Sequence, residues 1–311
     1  MILPKKLQLS CWYLAMRAVD QRHHEREDSM DKTGVQSAFV AAGLSRLLKD
    51  LDSIARPSIR LLTTPVDEST LAPGTSKIGG VPDLPPGVPW PECHGLPQSF
   101  VGQIHLAEID SYDAENLLPH TGMLWFFYDA QQQTFGDNPT DKGCWCVLFR
   151  EELTGLQRTT PPAPLPTSSQ FKACSTKFAN EITLSQYPKL DVANFDWTDE
   201  EQKHYETLLS TFPSPEDRAA IHHRLLGNPD TLQDDMRLQC QLVSHGITDD
   251  SDPRAAEIAK GAMDWHLLLQ IDSDEHAGMR WGNAGMLYYW VKRDDLHAQH
   301  FDATWLVLQS E

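Results

Sequence analysis

The densest run of potential ligands in the chain is QIDSDEHAGMRWGNAG, beginning at Gln270. Asp272, Asp274, Glu275 and Asn283 carry hard oxygens, the donors that Ca2+ or Mg2+ takes. The Asp-x-Asp-Glu spacing is not a full EF-hand, which needs Gly at its sixth position and Glu at its twelfth. An Asp-rich turn that caps its own amides uses the same residues. Trp281 beside Gly282 offers an aromatic platform, with Arg280 available to an anion, or else a lid on the core. With a divalent cation bound, such a loop would activate water for hydrolysis.

Other groups are weaker candidates. Cys144 and Cys146 lie two apart and so share one face of a strand. With Cys93 and His94 they could hold zinc, but the ligand gap is not the usual one. The six cysteines show no Cys-x-x-Cys, and a chain of this size needs no disulfide framework. His222-His223, and His297 with His300, have spacings that could serve a metal, but polar helical surroundings explain them as solvated side chains. No nucleophile elbow, P-loop, dinucleotide fingerprint or His-Glu-x-x-His motif occurs.

These residues hang on elements that occur twice in the same order. GMLWFFYD from Gly122 is answered by GMLYYWVK from Gly285, and FVGQIHLAE from Phe100 by LLLQIDSDE from Leu267. CWCVLF from Cys144 is answered by TWLVLQ from Thr304, and, more weakly, GGVPD from Gly79 by LGNPD from Leu226. Each run is short, β-branched or aromatic, and bounded by Gly, Pro or Asp, as strands are. Those that start GML are apolar on both alternating faces, which predicts a central, doubly covered strand in each half. Gln103 and Gln270 hold the same place in both halves. A buried amide needs partners, so they are expected to join neighbouring strands or to face each other. Trp90 is expected to anchor the proline loop Gly79–Pro91, and Trp145 and Trp305 to pack in the last strand of each half.

The expected class is α+β, with mainly antiparallel sheets, packed helices and an internal duplication into two intimately packed β-rich halves. Residues 1–30 read as an N-terminal extension, with Met16 and Met30 as later possible starts. Residues 34–311 form one domain, with copy one at about 57–150, a connection at 151–220 and copy two at about 221–310. Helices are expected over Gly34–Ala55, from a Thr198 cap, from a Ser214 cap to Gly227, and between the last two strands.

Together, ARPSIRL, SKIGGVPDLPPGVPWP, FVGQIHL, GMLWFFYD, LLGNPDTLQ and WGNAGMLYYWVKRDDL resemble the YwqG-like proteins, a family of bacterial domains of unknown function. The resemblance runs from about Ala55 to Gln309. It implies an α+β fold with two related halves. It also implies an immunity-type role, since some relatives lie near toxin genes, and it carries no catalytic residues over.

The formal charge is −18. That field disfavours nucleic acid and anionic membrane and suits a basic protein or a cation. No apolar run is long enough to span a bilayer. The sequence therefore predicts a cytoplasmic, non-catalytic binding protein with a basic protein partner. The alternative is a metal-dependent hydrolase or small-ligand-binding protein using loop 272–283.

Overall fold

Segments rich in β-branched and aromatic residues pair extensively in the computed structural model, which describes residues 31–249 and 251–310. The expected N-terminal extension lies outside the described residues. The strands are β1 (Ala55–Pro65), β2 (Lys77–Ile78), β3 (Ser99–His105), β4 (Met123–Tyr128), β5 (Trp145–Arg150) and β6 (Cys174–Leu184). They continue with β7 (His223–Leu225), β8 (Trp265–Asp272), β9 (Met286–Lys292) and β10 (Trp305–Gln309). One antiparallel sheet holds them in the order β10-β9-β8-β7-β1-β6-β2-β3-β4-β5. With the helices below, the class is α+β, as the sequence predicts.

The GML strands are central, each with a neighbour on both sides, and every residue of β4 is buried. The paired motifs take matching places, counted outward from β1 and β6 at the middle of the sheet. β6 itself was not foreseen: it lies in the stretch read as a connection, yet it pairs with β1 over its whole length, from Ala55–Leu184 to Pro65–Cys174.

The sheet curls until its two ends meet. Trp145 of β5 and Trp305 of β10 pack edge to face with ring centres 4.9 Å apart. Trp145 Nε1 donates to the Thr304 carbonyl at 3.0 Å and Trp305 Nε1 to the Gly136 carbonyl at 2.9 Å. The Lys142 ammonium lies over both rings, 5.5 and 5.9 Å from their centres. Gly136 is required here, because a Cβ would sit 1.8 Å from the Leu306 carbonyl oxygen. Within the curl, Phe126 packs against Tyr289, whose hydroxyl donates to the Phe127 carbonyl at 3.0 Å.

Helices α1 (Lys32–Ala41), α2 (Asp199–Thr211), α3 (Pro215–Arg218), α4 (Arg237–Val243) and α5 (Arg293–His297) flank the sheet. α2 begins with a capping box: the Thr198 hydroxyl accepts from the Glu201 amide, and the Glu201 carboxylate from the Thr198 amide. Its Tyr205 joins Phe39 of α1 and Leu44, Leu47, Leu51 and Ile54 in a second, smaller core. Two helix expectations need correction. The long helix over Gly34–Ala55 is broken at Gly43, whose φ of +76° turns the chain before a 3-10 turn at Ser45–Asp50 and a short helix at Leu51–Ile54. The helix from Ser214 keeps its cap but stops at Arg218, since His223–Leu225 pair with β1 and Arg224 and Leu225 with β8. Strand pairing there overrides the helical pattern of the sequence.

Trp145→Ala removes both the ring contact and the Nε1 bond that close the curl. A loss of about 3–5 kcal/mol is expected, measured as a lower denaturant midpoint at unchanged slope.

Candidate functional site

The chemistry of the fold gathers at two buried clamps. In the first, Lys77 of β2 lies opposite Gln103 of β3. Gly79 and Gly80, with φ of +68° and +74°, turn the chain so that Asp83 returns to the glutamine. Gln103 Oε1 accepts from the Asp83 amide at 2.9 Å, and its Nε2 donates to Asp83 Oδ2 at 2.8 Å and to the Thr75 carbonyl at 2.9 Å. Lys77 Nζ reaches Asp83 Oδ2 at 3.2 Å and Glu68 Oε1 at 2.9 Å, while Arg158 Nε reaches Asp83 Oδ1 at 3.2 Å. Trp125 Nε1 donates to the Asp83 carbonyl at 3.0 Å.

The second clamp repeats these bonds with other residues. Arg224 of β7 lies opposite Gln270 of β8. Leu226 and Gly227, with φ of +61° and +74°, bring Asp230 back to it. Gln270 Oε1 accepts from the Asp230 amide at 2.8 Å, and its Nε2 donates to Asp230 Oδ2 at 3.1 Å and to the His222 carbonyl at 2.8 Å. Arg224 Nη2 is 2.8 Å from Asp230 Oδ2, and the Tyr288 hydroxyl donates to the Asp230 carbonyl. Each glutamine therefore joins neighbouring segments, as expected.

This second clamp is larger and opens to a cavity. Arg218 Nη1 lies 2.6 Å from Asp230 Oδ1, and Arg224 Nε 2.9 Å from Glu181 Oε1. Arg60 also reaches Glu181, at 3.2 Å. His222 Nδ1 lies 2.7 Å from Asp230 Oδ2, and its Nε2 2.8 Å from the Asp217 carbonyl. Burial opposes charge on His222, but the bonds to Asp217 and Asp230 outweigh it and raise its pKa to about 9. Burial likewise opposes charge on Asp230, yet Arg224 and His222 hold its carboxyl well below the usual range. A cavity of about 270 Å3 lies over this network, lined by Arg218, Arg224 and Asp230 with Glu206, Leu209 and Phe212 of the α2 segment. It is the candidate binding site.

The acidic loop is arranged differently. Asp274 is fully buried. Its Oδ2 accepts from the Thr63 hydroxyl at 3.1 Å and lies 3.4 Å from His223 Nε2, while its Oδ1 accepts from the His276 amide at 2.8 Å. Burial works against its charge, but His223 leads the groups that bring its pKa to about 2. Asp272 Oδ2 accepts from the His222 amide at 2.9 Å. Glu275 and Asn283 are exposed. Trp281 is fully buried, packs on Tyr128 and Phe171 and donates to the Asp272 carbonyl at 3.2 Å, so it is a lid on the core. Trp90 anchors its loop by donating to the Gln98 carbonyl at 2.9 Å and packing on Phe127.

The histidine pair differs from its expected solvated state: His222 is 3% and His223 0% exposed, because both sit at β7 rather than on a helix. His297 and His300 are exposed, as expected. Among the described residues, the His, Cys, Asp and Glu side chains that bring three ligand atoms within 4.8 Å of one another are Cys93, His94 and Cys144. Cys93 and Cys144 are joined in a disulfide, although a chain of this size is expected to need no disulfide framework. The hairpin at Glu92–Pro97 carries Cys93 to the start of β5, a contact invisible in their spacing. Burial pushes the thiols of Cys146 and Cys174 up to about 11, so both are protonated at neutral pH.

Lys77, Asp83, Arg224 and Asp230 were not singled out from the sequence. Their signal was a cation three residues before Gly-x-Pro-Asp, present in both halves. Residues 76–310 match the family model described as a domain of unknown function, DUF1963, with which the YwqG-like proteins are associated. The chain belongs to that family. No curated protein matches it.

Reduction of Cys93–Cys144, which closes a separation of 51 residues, is expected to cost about 2–4 kcal/mol. Thermal melts with and without reductant, beside alkylation mapping, measure it. The pH profile follows from the second clamp. His222 has a folded pKa above its unfolded value, so its contribution is full below about pH 6.5 and is lost as pH rises through about 9. Asp230 and Asp274 are lowered, so theirs is present above about pH 4 and is lost on acidification. Melting temperature should fall on both sides of about pH 5–6.5, and His222→Gln should flatten the alkaline limb.

Proposed function

We propose that the protein is a non-catalytic binding protein whose acidic exterior takes a basic protein partner, in the manner of an immunity protein. The observation behind this reading is where the excess charge lies. The buried cations Lys77, Arg60 and Arg224 are matched by Glu68, Asp83, Glu181 and Asp230. Glu115, Glu152, Glu200, Glu216, Asp294 and Asp302 are exposed, and none has a cation within 4.0 Å of its carboxylate among the described residues. A net charge of −18 displayed in this way steers a cationic surface and favours its docking.

The alternative is a metal-dependent hydrolase or small-ligand site on loop 272–283, holding Ca2+ or Mg2+. It has less geometric support, because the Asp274 oxygens are taken up by Thr63, His223 and His276. Two further readings belong with the leading one. The halves arose by internal duplication, supported by the matching clamps and by the shared left-handed pairs Gly79-Gly80 and Leu226-Gly227. The protein works in the cytoplasm, a reading consistent with no helix of the described residues being long and apolar enough to cross a membrane. The Cys93–Cys144 bond is the feature a reducing cytoplasm does not sustain, so its state in protein taken from the host tests the compartment.

Native mass spectrometry on protein purified gently from its host, before and after denaturation, should release a basic polypeptide. The affinity of that pair should weaken at least tenfold between about 50 and 300 mM salt. Salt-insensitive tight binding, or release of a stoichiometric metal with hydrolytic turnover that Asp274→Asn abolishes, would overturn the reading.

A further inference from the structure

Beside the 270 Å3 cavity, with which it shares Gln186, a shallow groove runs past the start of β1 and the ends of β8 and β9, lined in part by Arg56, Trp265, His266 and Trp290. Its polar groups are out of balance. His266 stands between two guanidiniums: Arg56 Nη1 lies 3.4 Å from its Nδ1, and Arg293 Nε 3.3 Å from its Nε2. Burial first, then Arg56 and Arg293, bring the His266 pKa down to about 4, so the ring is neutral near neutral pH. A neutral imidazole has one N–H and one lone pair. Only one of the two guanidiniums can donate to it, and the other faces a ring N–H.

Arg237 lines the same groove together with Asp191 and Asp235 and is satisfied by them, at 2.5 Å and 2.8 Å. Arg56 and Arg293 have no carboxylate within 4.0 Å among the described residues. A separate observation points the same way. Trp290 lines the same groove and is 2% exposed, and its Nε1–H has no hydrogen-bond partner among the described residues. A buried donor left unpaired is unfavourable. Asp191 and Asp235 in the groove wall are taken up by Arg237, so the groups there that lack an acceptor are Arg56 and the Trp290 N–H, on a protein whose overall field repels anions.

We propose that this groove binds a small oxyanion, the phosphate or carboxylate end of a small molecule, with Arg56 as its clamp. A guanidinium presents paired N–H groups that fit two oxygens of either anion, and Trp290 in the groove wall carries a buried, unpaired Nε1–H. Arg293 does not line the groove and adds charge across the His266 ring, at its Nε2. Met263, 41% exposed, lines the groove and offers an apolar surface to the body of the ligand. The site is independent of the protein-partner reading, since it takes an anion where that surface takes a cation.

The test is calorimetry and tryptophan fluorescence on the full chain at low ionic strength, titrating inorganic phosphate and, in parallel, acetate. At least one anion should bind saturably at one site per chain. Arg56→Gln and Arg293→Gln should each weaken it at least tenfold and Trp290→Phe several-fold, with Lys203→Gln on α2 unchanged. Arg293 is exposed, so its variant tests the site without disturbing the core. The relative affinities of the two anions distinguish a phosphate from a carboxylate ligand. Saturation by neither anion, or wild-type affinity in folded Arg293→Gln, overturns the proposal.

Discussion

The fold depends on a side-chain amide bonded to an aspartate at both ends. A glutamine buried in a strand must satisfy one carbonyl and one NH2 group, and leaving them unmet in the interior is costly. Gln103 and Gln270 solve this by accepting from the amide of a returning aspartate and donating to its carboxylate. That bond ties a turn outside the sheet to a central strand. It brings a charged carboxylate inside, which then requires the cation of the neighbouring short strand, Lys77 or Arg224. The turn must reverse tightly, which sets the left-handed residues before the Pro-Asp pair. The aromatic opposite each glutamine, Trp125 or Tyr288, donates to the remaining aspartate carbonyl.

A consequence for function is that residue types which look catalytic in a list are structural in place. Asp83, Asp230 and Asp274 are ionised and surrounded by donors, so none is poised to exchange a proton near neutral pH. A buried carboxylate with this many partners holds geometry well and makes a poor base. The groups free to meet another molecule lie on the acidic exterior, in the cavity beside α2 and in the groove beside His266.

Much of this was legible in the sequence. Alternation and aromatic content located β3, β4, β8, β9 and β10, and the Thr198 cap fixed the start of α2, because these signals are local. β6 escaped because CSTKFANEITL is neither strongly apolar nor repeated, being half-exposed along most of its length. His222 and His223 were misread because a helix-like spacing continued past Arg218, where pairing with β1 and β8 takes over. The Cys93–Cys144 bond and the arginines around His266 join residues distant in sequence, which no local period can reveal. Trp281 was readable only as a choice between platform and lid, and its packing on Phe171 and Tyr128 decides for the lid.

The meeting of Trp145 and Trp305 also governs how other chains can approach. A curved sheet with open margins offers unpaired amides and carbonyls to any extended peptide, inviting strand addition and self-association. Here the Phe135–Gly136 segment and the two indoles occupy that margin: Leu308 donates to the Phe135 carbonyl at 3.2 Å, and the Thr304 carbonyl accepts from Trp145 and Lys142. A visiting polypeptide therefore finds little backbone to pair with along that seam. Recognition there must be read through side chains and charge, not through an added strand.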